Sequence, residues 1–149
     1  MALIATSGMT LFSWILARIY KEKFLETVLL NQLIFPRQKE KKKHHWAGIG
    51  IHYAVGYFFS YMYSLLWART PVSSHLVTGS ILGAFNGIAG ISGWHTVLVV
   101  HPDPPRIRPV KYYMQLLAAH VVFGALNALV YNYSGEKGSL FSAKRKTRP

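Results

Sequence analysis

The 149-residue chain has no cysteine and only five acidic residues. Without cysteine there can be no disulfide, thiolate nucleophile, iron–sulfur cluster or covalently attached c-type haem. The five acids, Glu22, Glu26, Glu40, Asp103 and Glu136, all lie outside the long apolar runs. The paired carboxylates of hydrolases and the acid ladders of ion pumps are therefore not expected, and neither is any catalytic residue. What the chain does have is apolar sequence. Half of it (51%) is hydrophobic, 15% is charged, and the mean hydropathy of +0.20 averages long apolar runs with charge-dense connectors.

About 20 apolar residues are needed for a helix to cross roughly 30 Å of hydrocarbon. Four runs meet that length, near residues 2–20, 46–67, 77–100 and 112–131. They predict an all-α, polytopic membrane protein, a four-helix transmembrane bundle over residues 1–133. A basic, flexible tail is expected at 134–149. The first run is not preceded by basic residues and ends in Arg18 and Lys21, so it reads as a retained span rather than a secretory signal. Residues 24–35 are apolar but too short to cross, and predict an interfacial helix or one folded back on the bundle, stopped by Pro36.

Small residues recur at helical spacing. Thr6, Thr10, Ser13 and Ala17 form a stripe on the first span, and Gly48, His52, Gly56, Ser60 and Ser64 form one on the second. The third carries Gly79, Gly83 and Gly87. Such faces let helices approach closely in a membrane, where glycine's cost to helix stability is offset by backbone contact.

The formal charge of +12 would suggest nucleic acid in a soluble protein, but the basic residues crowd the ends of the apolar runs and no nucleic-acid motif accompanies them. Lys39, Lys41, Lys42 and Lys43 are candidates for lipid head groups. Eight basic residues lie between the first two spans when Arg18 at the end of the first is counted with them, and three between the last two, against six on the other side. The positive-inside rule then places these two proline-bearing loops in the cytoplasm and both termini outside.

Three histidines fall within the runs. Counted from the same face, His52, His95 and His120 lie roughly 7 to 12 Å inside the bilayer surface. Imidazole in hydrocarbon is costly and marks a pathway, a ligand or a partner. Three at one level can hold a divalent metal, two can ligate a haem b, and all can serve proton relay or quinone binding. The plainer account is that each donates one hydrogen bond and helps helices pack. Tyr53, Gly56, Trp94, His101, Gly124 and Asn127 are candidate supporting residues. Asn127 and Asn86 are expected to bridge helices. Glu22 and Glu26, at i and i+4, can complete a metal site but read more simply as a solvated pair.

His52 followed by Gly56 and Phe58, a glycine-rich third span ending in His95 ahead of Pro102, Pro104 and Pro105, and His120 before Phe123 and Gly124 resemble the YagU-like group of small bacterial inner-membrane proteins. The similarity covers most of residues 2–131. It implies a four-helix inner-membrane bundle and no particular reaction. The expected function is a non-enzymatic membrane component with a histidine site for a metal, haem b or quinone, working with other membrane subunits or as a homo-oligomer. A small proton- or metal-coupled transporter or channel is the alternative, and a purely structural subunit is a third.

Overall fold

A computed structural model describes residues 1–22, 24–35 and 45–146, the side chains of His45 and of residues 136–146 excepted. Lys39, Lys41, Lys42 and Lys43 lie outside the described residues. The regular elements among the described residues are helices: α1 (Ala2–Tyr20), α2 (Glu26–Ile34), α3 (His45–Arg69), α4 (Leu76–Val100) and α5 (Pro109–Lys146). Three are long and apolar enough to cross a membrane: α1, α4 and the Pro109–Gly135 part of α5. At 25 residues α3 is long enough, about 37 Å, and carries no Asp, Glu, Lys or Arg before Arg69. Its four tyrosines, His52 and two serines make it less apolar than the other three. Past Tyr131, where the fourth crossing was expected to end, α5 continues as helix.

Local chemistry sets the breaks. α1 stops where Lys21 takes a left-handed conformation (φ 53°), with the Glu22 N–H donating to Ala17 O at 3.0 Å and the Lys21 N–H to Arg18 O at 3.4 Å. These two bonds close orphan carbonyls in a Schellman turn. Between α4 and α5 the prolines at 102, 104 and 105 cannot supply helical N–H donors, and Pro109 opens α5, where a missing N–H costs nothing.

The helices pack as neighbours in the order α4, α5, α1, α3, α2. α1 runs antiparallel to both α3 and α5. Thr6 meets Gly56, Thr10 meets His52, and Gly8 meets Leu126. Ala5, Met9, Tyr63, Trp67, Ala119, Phe123 and Ala128 form one core cluster; Ala17, Phe24, Leu29, Tyr112 and Leu116 form a second. α2 belongs to the bundle rather than lying on its surface, since Phe24 and Leu29 are fully buried and Gly48 of α3 seats against the backbone of Thr27 and Asn31.

α4 is attached to α5 through glycine. Its buried residues are Gly79, Gly83 and Gly87. A Cβ on Gly83 would run into the His120 carbonyl, one on Gly79 would stand 2.5 Å from the Gly124 carbonyl, and one on Gly124 would strike Gly79 in return. Backbones in such contact gain dispersion and weak polar interactions that a membrane offers in place of hydrophobic burial. Much of the remaining surface is apolar: Val77, Phe85 and Val99 on α4 and Leu3, Ile19 and Tyr57 elsewhere are each more than half exposed. Patches of this extent mark a surface that meets lipid or protein.

Replacing Gly83 with valine should separate α4 from α5 and lower stability by about 1–3 kcal/mol, as overpacking does elsewhere. Gly50, whose Cβ would meet nothing within 4 Å, should accept alanine without loss. Thermal denaturation of the two variants in detergent checks the contrast.

Candidate functional site

Among the described residues, α3 and α4 share no packed interface. Between them lies a cavity of about 300 Å³, with α1 and α5 behind it and α2 closing one end. Ile51 and Val55 of α3 and Val97 of α4 line it and are themselves exposed, so its mouth opens through an apolar helix surface rather than at a helix end. Phe59, Trp94 and Phe123 supply aromatic wall. The polar groups are few: His52, His120, Glu26, Asn86 and Thr6. Mostly apolar walls with a small number of converging polar groups characterise small-molecule sites.

The hydrogen-bond partners assign the two imidazoles. His120 Nδ1 lies 2.8 Å from Leu116 O, and a carbonyl can only accept, so Nδ1 donates. In the neutral ring this leaves Nε2 as a lone pair facing Gly90, where an added Cβ would sit 3.5 Å from it. His52 Nε2 is 3.0 Å from Thr10 Oγ1, and that hydroxyl already donates to Thr6 O at 2.7 Å. His52 therefore donates through Nε2, and in its neutral form Nδ1 is the acceptor. Both rings are held in one orientation by their donor nitrogens and keep an unpaired acceptor.

Glu26 is the residue whose importance its spacing concealed. It does not pair with Glu22. Glu22 turns outward to Arg108 Nη1 at 3.1 Å and Lys111 Nζ at 3.5 Å, whereas Glu26 is 3% exposed and lines the cavity. Its Oε1 accepts from Ser13 Oγ at 3.1 Å, and its Oε2 is buried with no hydrogen-bonding partner among the described residues. Burial pushes its pKa up from 4.5 to about 7, against the opposing effect of its own backbone N–H and Ser13. Asn86 Nδ2 and Thr6 Oγ1 on the cavity wall are likewise buried without partners. The signal in the sequence was a lone acid between Leu25 and Leu29, inside a stretch too apolar to be a solvated turn.

The remaining expectations divide. His95 does not line the cavity: its Nδ1 lies 3.2 Å from the Tyr113 hydroxyl on an exposed face. The antiparallel register of α4 and α5 sets Gly90 against His120 and Trp94 against Tyr112, so His95 sits seven residues of α5, about 10 Å, from the level of His120. Among the described residues no group of three or more His, Cys, Asp or Glu is placed to hold a metal ion. Gly56 and Trp94 do line the cavity, and Gly124 is a packing residue. Tyr53 instead bonds Ser7 at 2.9 Å. Asn127 donates to Phe123 O on its own helix at 2.9 Å, so it does not bridge helices as expected. His101 donates to Leu33 O at 3.1 Å and accepts from the Asp103 N–H at 3.1 Å, which ties the proline loop to the last turn of α2. It is a fastening residue and not part of the cavity.

Compared with family models, curated proteins and solved structures, the chain has no match in any of the three.

The carboxyl makes stability depend on pH. Folded Glu26 holds its proton up to about pH 7, while the unfolded chain releases it near 4.5. Its contribution is therefore fully present below about pH 4.5 and is lost as pH rises through about 7, to an extent of about 3 kcal/mol. The wild-type protein should lose thermal stability relative to Glu26→Gln across this window, and a constant difference between the two would contradict the assignment.

Proposed function

We propose that this chain is a four-crossing membrane protein, with α3 as the fourth span, that binds a membrane-soluble small molecule in the cleft between α3 and α4. The observation that carries this reading is a cavity that combines an apolar mouth, aromatic walls, the unpaired buried atoms of Glu26 and Asn86, and two imidazoles whose donor nitrogens are already engaged. The neutral rings present acceptor nitrogens, so the complementary ligand brings hydrogen-bond donors on an apolar body. Of the ligands considered from the sequence, a quinone matches that description only in its reduced form, a hydroquinone, whose hydroxyls donate. Among the described residues no three His, Cys, Asp or Glu side chains are placed to share one metal ion, and a volume of about 300 Å³ suits one ring with a short chain better than a four-ring macrocycle.

In this reading the protein is a binding component with no reaction of its own, in a bacterial inner membrane with its basic connectors cytoplasmic, as membership of the YagU-like group would imply. A transporter is the second reading. It is favoured by Glu26, a buried acid whose proton affinity lies near neutrality and which faces the cleft.

The test is ligand-dependent stability. tert-Butylhydroquinone at a hundred times its dissociation constant should stabilise the purified protein by about 2.7 kcal/mol. Gly93 lines the cleft and a Cβ there would meet nothing within 4 Å, so Gly93→Leu should fold normally, fill the space and abolish the shift. An undiminished shift in that variant would place the binding elsewhere and defeat the reading.

A further inference from the structure

We propose that the cleft takes a lipophilic organic ammonium ion in exchange for the proton on Glu26. This rests on the cleft being a ligand site and names the class of ligand. The cavity's one acid has an oxygen, Oε2, that is buried and unpaired among the described residues, and elsewhere on the wall Nε2 of His120 and Nδ1 of His52 are also without partners there. A primary ammonium brings N–H donors, a positive charge and no acceptor, and so complements the unpaired carboxyl oxygen of Glu26, whose ionised charge a neutral hydroxyl would leave unopposed. Trp94, Phe59 and Phe123 offer aromatic faces to its charge and to its apolar body.

Charge balance requires the exchange. An ionised carboxylate alone in this surrounding is costly, and so is an ammonium alone, but a neutral acid and a carboxylate–ammonium pair both leave the cleft without net charge. One cation enters, and one proton leaves Glu26 for water. No fixed cation competes for the carboxylate among the described residues. Ser13 of α1 bonds it and Tyr112 of α5 interacts with it; His52 of α3, Asn86 of α4 and His120 of α5 line the same cavity, and Arg108 and Lys111 are held by Glu22. The raised proton affinity of Glu26 lets the exchange operate near neutral pH.

Calorimetric titration of the purified full chain with phenethylammonium and with 2-phenylethanol, its uncharged counterpart, tests this at pH 6 and pH 8 in buffers of two ionisation enthalpies. Competition with one proton should make the ammonium bind about tenfold tighter at pH 8, with close to one proton released per ion at pH 6. Glu26→Gln should weaken ammonium binding at pH 8 at least about tenfold and remove its pH dependence, leaving 2-phenylethanol unaffected. His120→Gln should retain proton release, which separates the acid from the imidazole. Binding of the alcohol without the ammonium, or ammonium binding with no proton released at pH 6, would overturn the exchange while leaving the cleft as a ligand site. If neither compound binds and Gly93→Leu changes nothing, the cleft reading fails with it. Proton release by the wild-type protein decides the matter even if Glu26→Gln does not fold.

Discussion

The contact of α4 with α5 through Gly79, Gly83, Gly87 and Gly124 is the constraint from which the rest of the architecture follows. Glycines on both sides bring the two backbones together, and α4 commits its buried face to that one partner. With α4 turned to α5, and α3 turned to α1 and α2, α3 and α4 share no packed interface among the described residues. The cleft is what this geometry leaves between them. Its back wall is α1 and α5, which explains why residues as distant in sequence as Thr6 and Phe123 line one space.

The helices themselves were legible because hydrophobic length is a strong signal: the expected limits of the crossings lie within a few residues of α1, α3 and α4 and of the start of α5. The glycine spacing on α4 likewise pointed to the face that packs. Register was not legible. Counting residues from a membrane face treats every helix as equally inserted and equally rotated, and His95 shows the error. His95 lies level with Tyr113, seven residues along α5 from His120, and its position on the helix turns it outward to that hydroxyl. His52 reaches the cavity from the small-residue face of α3, and His120 from the turn of α5 that packs on Gly83 and Gly87, which periodicity could indicate and depth could not.

Glu26 was obscured for a different reason. At i and i+4, Glu22 and Glu26 look like a pair on one solvated face, but the Schellman turn at Lys21 ends α1 and leaves Glu22 in the connector while Glu26 opens α2. One finds Arg108 and Lys111 at the surface; the other is carried into the bundle by the short helix that begins at it. A single left-handed residue thus decides which acid is paired with cations and which is buried beside Ser13.

The sideways mouth, flanked by Ile51, Val55 and Val97, has a bearing on how any occupant would be measured. A molecule that enters from the acyl-chain layer is presented at its concentration in that layer, which the partition coefficient sets, and not at its concentration in the buffer. Apparent affinities would then track the amount of lipid or detergent in the sample, and two solutes with the same intrinsic fit would rank by their oil solubility until that difference is divided out.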